Sequence, residues 1–155
     1  VLEHLMHTIH LYGVPGAVTG SQDALQWDPE YHRDWQTSEL YYAMKEAVDN
    51  GVFSLTDYMD GNIDSPETYR LISKEYLYLL NFGMWEYGQE FWENGTLAPE
   101  WNDNARTPAG VQQNNPLGFA LFNNYLKPVL SKPTLSDLRS IFQDNDGGVS
   151  GYVSD

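Results

Sequence analysis

The stretch that most constrains this chain is residues 65–94. Ser65-Pro66-Glu67 is a strong helix start: a capping hydroxyl, a proline at the first helical position and an acid in the first turn. The helix is expected to run toward Asn94-Gly95, with a kink near Gly83 or Gly88. It carries Leu71, Ile72, Tyr76, Leu79, Leu80, Phe82, Trp85, Phe91 and Trp92. Those positions cover most of its circumference, and such a helix belongs in the middle of a domain rather than on its surface.

Other helices are available to wrap it. Residues 1–12 read as an amphipathic helix stopped by Gly13 and Pro15. Ser38 caps a helix whose apolar positions Leu40, Ala43, Met44, Ala47 and Val48 share one face, and Asn50-Gly51 ends it. Residues 52–64 hold at most a turn around Leu55–Met59. Residues 96–106 form a polar loop. Thr107-Pro108 opens a short helix, 117–130 is an apolar helix interrupted by Pro128, and Thr134 caps a last one over Leu135–Phe142. Residues 13–36 read as a long irregular segment with room for one short strand. The expected fold is all-α or α-dominant, a single domain of five to six helices over 1–143, followed by an acidic Gly/Ser tail at 144–155. No internal repeat is visible.

Eight Lys and Arg stand against 22 Asp and Glu, a net charge of −14 with His neutral. That surface repels phosphate backbones and anionic lipid, so neither nucleic acid nor a membrane is an expected partner. With 41% hydrophobic and 14% aromatic residues the chain has ample material for a core. It has no Cys, which excludes disulfides, thiol nucleophiles and Cys-ligated zinc. An abrupt start inside a helix and an acidic, Lys-poor composition are read as those of a secreted protein. They also fit a mature fragment of a longer precursor, whose upstream part is an expected partner.

Three of the four histidines are His4, His7 and His10. At about 100° per residue, with Glu3 at 0°, His7 falls near 40°, His10 near −20° and His4 near 100°. Glu3, His7 and His10 therefore share one face, with His4 on its shoulder. Imidazole and carboxylate one turn apart suit a borderline cation such as Zn²⁺. A surface helix with several idle histidines has the same pattern.

Leu2-Glu3-His4-Leu5-Met6-His7-Thr8 resembles the active-site helix of zincin metallopeptidases, whose motif is H-E-x-x-H; here its first two letters are exchanged. The order of helices is similar to the lethal-factor type of gluzincin, in which a later helix opened by Ser-Pro donates a glutamate. The resemblance covers roughly residues 1–93 and implies the helical part of a zincin-like fold. It implies Glu3 and His7 as zinc ligands; His10, a candidate metal residue by its place on the same face, is then a supporting residue or a bystander. Glu75 is the best match for the downstream ligand, with Glu39 and Glu86 as rivals. His4 takes the position of the general base, where the family has Glu, and histidine can accept a proton near neutral pH. His32 is a candidate mobile ligand. The implied activity is hydrolysis of a peptide or protein substrate, or a degenerate relative of it.

Three further patterns remain. Asp144-Asn145-Asp146-Gly147 and Asp60-Gly-Asn62-Ile-Asp64 are oxygen-rich loops that approach, without matching, the pattern of a Ca²⁺ site. Trp27, Tyr31, Trp35, Tyr41 and Tyr42 form a candidate platform for a non-enzymatic module that binds a glycan or a protein. Asn94-Gly95-Thr96 is a glycosylation sequon.

Overall fold

The computed structural model describes residues 2–88 and 98–142, with side chains as far as residue 138. Within them the fold is helical, without a β-strand, and forms one domain. No described helix is long and apolar enough to cross a membrane. In chain order the helices are α1 (Leu2–Thr8), α2 (Val14–Ala17), α3 (Ser21–Ala24), α4 (Glu39–Asp49), α5 (Pro66–Met84), α6 (Pro108–Asn114), α7 (Pro116–Leu121) and α8 (Leu135–Phe142).

Helix α5 is the axis. Tyr69, Ile72, Tyr76, Leu77, Leu79, Leu80 and Phe82 along it are all buried. It ends at Met84, short of the expected 94, where Glu86 turns left-handed at φ 62°. From residue 89 that expected helix, Phe91 and Trp92 and the sequon at Asn94 included, lies outside the described residues, as do the tail and its Asp144–Gly147 loop. Gly83 lies one residue before the end of α5 at Met84. It lets another segment approach, since a Cβ there would lie 2.5 Å from the Ala105 carbonyl oxygen.

The expected helix starts at 38, 107 and 134 are present. Ser38 accepts from the Tyr41 amide, Thr107 from that of Gly110, and Thr134 from that of Asp137. Ser65 precedes α5, yet its hydroxyl donates to Glu67 instead of capping the backbone.

Two expectations change near the N-terminus. Gly13 and Pro15 do not stop the first helix. It widens into a π turn over Ile9–Gly13, with Val14 N–H bonded to the Ile9 carbonyl, and continues as α2. Pro15 has no N–H to donate and would crowd the carbonyl four residues back in a tight helix. That carbonyl, of Leu11, instead accepts from the Trp27 indole at 3.1 Å. A second π turn, Phe122–Leu126, precedes Pro128 in the same way. The short strand allowed for in 13–36 is also absent. Amides there bond to carbonyls three or four residues back, as from Val18 to Val14 and from Leu25 to Ser21. The segment is pinned to the start of α5 through buried Asp28, which pairs with Arg70 at 3.4 Å, and through Tyr69, which donates to the Gln26 carbonyl.

On the other side of α5, Asn115 is a buried node. It accepts from the Tyr76 hydroxyl at 2.7 Å and donates to the Ala43 carbonyl and the Glu46 carboxylate. This joins α4, α5 and the corner between α6 and α7. Finally, Phe53 and Trp101 form an isolated antiparallel bridge, with Ser54 N–H donating to the Glu100 carbonyl at 2.8 Å. It places the 98–106 loop beside the 52–59 turns.

Candidate metal centre

Glu3 and His7 sit one turn apart on α1, which packs across the middle of α5 where Glu75 projects. One ligand atom from each of Glu3, His7 and Glu75 lies within 4.8 Å of the other two. His7 Nε2 and Glu75 Oε2 are 3.5 Å apart. For bonds of the length zinc makes to nitrogen and oxygen, the edge of a tetrahedron is about 3.3 Å, so this spacing suits two ligands of one ion. It is too long for a good hydrogen bond.

The state of His7 is the telling detail. The residue is 8% exposed, and its Nε2 has no hydrogen-bond partner. A buried imidazole nitrogen normally has a partner. The ring is held edge-on by Tyr78, at 5.9 Å and 84°, so its direction is set by packing. His4 is exposed, with its ring centroid 6.0 Å from that of His7.

His10 does not join the group. It is fully buried behind His7, with Nε2 3.3 Å from Asn81 Oδ1. Burial, with a smaller push from His7, lowers its pKa to about 4 against the opposing effect of its hydrogen bond to Asn81 Oδ1. The 100° extrapolation fails here because the helix turns π at Ile9, and a π turn advances less per residue. The rivals to Glu75 are elsewhere: Glu39 accepts from Tyr125, and Glu86 lies 4.0 Å from Lys132. His32 stays in its loop, outside the group.

Tyr58 and Glu100 have no counterpart in the sequence reading. The Tyr58 hydroxyl donates to Glu100 Oε1 at 2.9 Å. Its pKa is pushed well above the ordinary phenol range, first by burial, then by the charges of Glu100, Glu75 and Glu3. The phenol therefore stands in the field of both carboxylates of the group and keeps its proton. No local signal marks this pair, since the Phe53–Trp101 bridge brings together residues 42 apart.

Asp60 accepts from Thr68 and from the Asn62 amide, and Asp64 accepts from Gln36 and Tyr41, so that loop spends its oxygens on the fold. In the aromatic segment, Trp35 and Tyr41 are buried against Tyr69, while Tyr31 and Tyr42 remain exposed. Trp27 packs instead with exposed Tyr12, and both line an open groove of about 380 Å³ together with Glu67, Arg70 and Lys74. Compared with known proteins, the chain matches no protein family, no curated protein and no solved structure.

Proposed function

We propose that this protein binds a divalent cation, zinc first, through Glu3, His7 and Glu75, and that it acts as a zincin-like metallohydrolase. The observation that carries the reading is His7. Its buried Nε2 has no hydrogen-bond partner and lies within ligand spacing of two carboxylates. Neither carboxylate is paired with a Lys or Arg among the described residues. A dication would complete the nitrogen and neutralise both acids at once.

Bound there, the ion would supply Lewis-acid polarisation of a substrate carbonyl. The protein's own part is distributed around it. His7 is oriented by Tyr78, and Glu3 and Glu75 approach from two helices. His4, on the solvent side of His7, is the side chain placed to take up a proton. A separate open groove lined by Tyr12, Trp27, Glu67, Arg70 and Lys74 would offer a peptide aromatic and charged side chains.

Elemental analysis of the dialysed protein tests this. The expected result is one equivalent of zinc per chain, lost in His7→Ala and in Glu75→Gln, with peptide hydrolysis abolished by chelation and restored by zinc. Wild-type protein that retains no divalent metal and binds none on titration overturns the reading. Metal bound without chelator-sensitive hydrolysis would leave a binding protein and overturn the hydrolase.

A further inference from the structure

Three protein ligands leave one position of a tetrahedral ion open. Among the described residues no fourth His, Asp or Glu atom lies within the 4.8 Å spacing that groups Glu3, His7 and Glu75. One ring stands just outside it. His4 and His7 are one turn apart on α1, with ring centroids 6.0 Å apart and planes at 57°. Two imidazoles bound through nitrogen to one tetrahedral zinc have centroids about 5 Å apart, given Zn–N bonds of about 2.0–2.1 Å and the size of the ring. The His4 ring therefore has about 1 Å to close.

The two side chains differ in freedom. His7 is buried edge-on to Tyr78, so its direction is fixed. His4 is exposed. Its carbonyl accepts from Thr8 Oγ1 at 3.1 Å, but among the described residues no hydrogen bond or ion pair holds its ring. The ring can turn between staggered positions of its side chain. His10 cannot take this part, because it is fully buried with Nε2 on Asn81.

We propose that His4 is the fourth ligand of a cation on Glu3, His7 and Glu75, and that it closes the site until a substrate oxygen replaces it. The inference rests on the cation reading above. A neutral imidazole has one nitrogen lone pair. While that lone pair binds the ion it cannot take a proton. Once displaced, it is the proton acceptor already assigned to His4. Ligation and proton uptake therefore alternate on one nitrogen, and the resting site blocks itself. A neutral fourth ligand also leaves the charge of a dication and two carboxylates balanced.

Zinc is the probe, loaded at one equivalent on the full chain and read by X-ray absorption, in which multiple scattering counts the coordinated imidazoles. Wild type is expected to show two, His4→Ala one and His10→Gln two. Position 4 is exposed and helical, and alanine is the most favourable residue in a helix, so His4→Ala keeps the fold. Loss of a mere supporting residue weakens a metal site by about tenfold, and the zinc affinity of His4→Ala should fall by at least that factor. One imidazole in both wild type and His4→Ala, with zinc bound in each, overturns the role of His4 and leaves the three-residue site standing. Two in both assigns the second ring elsewhere and overturns it as well. Wild type that binds no zinc overturns the cation site, and the role of His4 with it.

Discussion

His10 shows how strongly one side chain can depend on its surroundings. It is fully buried with its Nδ1 lacking a hydrogen-bond partner, and its pKa in the folded protein is about 4 against an ordinary 6.5. The fold therefore favours the neutral ring. Its contribution is complete above about pH 6.5 and drains away as pH falls toward 4, because the unfolded chain takes up the proton first. The gap corresponds to about 3 kcal/mol. Urea unfolding at pH 7.5 and 4.5 should show wild type losing more stability than His10→Gln by roughly that amount. Parallel losses would refute it. At the same scale, Gly118 is required by contact: a Cβ there would lie 2.5 Å from the Tyr76 hydroxyl and collide with the Asn115 side chain. Gly118→Ala should cost about 3 kcal/mol by breaking the node that joins α4 to α5, measured as a shift in the denaturant midpoint. Neither residue announces this in the sequence. His10 looks equivalent to His7 until the helix widens between them, and Gly118 looks like any helical glycine.

Helices begin in this protein where short-range chemistry requires it. Ser38, Thr107 and Thr134 satisfy backbone amides within their own turn, and three-residue chemistry of that kind is readable without a fold. The π turns are another matter. A proline one turn downstream ordinarily ends a helix, and Pro15 fails to do so because the Trp27 indole, twelve residues on, donates to the Leu11 carbonyl. The two features should be coupled. Trp27→Phe is expected to cost about 1 kcal/mol for the hydrogen bond, and less in a Pro15→Ala background, where a backbone N–H is again present at position 15. A double-mutant cycle by urea unfolding measures the difference, and strictly additive effects would disprove the link. The consequence reaches the site, since the π turn is what carries His10 behind His7 and leaves Glu3 and His7 as the pair that meets Glu75.

Across the whole molecule, a net charge of −14 repels itself, and part of that repulsion is concentrated where Glu3 and Glu75 meet. Two ways of relieving it can be separated. Raising NaCl from 20 to 500 mM screens the general repulsion, and should raise the melting temperature by a few degrees in wild type and His7→Ala alike. Zinc at about 100 times its Kd should add roughly 2.7 kcal/mol in wild type only. An equal zinc effect in His7→Ala would mean diffuse binding to the acidic surface. By itself the sequence determined the helical class, the central place of α5 and the Glu3–His7 pairing, because caps, apolar periodicity and one-turn spacing act over a few residues. It could nominate Glu75 only by resemblance, beside two rivals. The tertiary structure alone decided that Glu75 meets Glu3 and His7, that His10 turns to Asn81, and that Tyr58 pairs with Glu100. Each of those depends on helix crossing and loop closure over tens of residues. Such contacts are fixed by how buried surfaces fit together and leave no local trace in the chain.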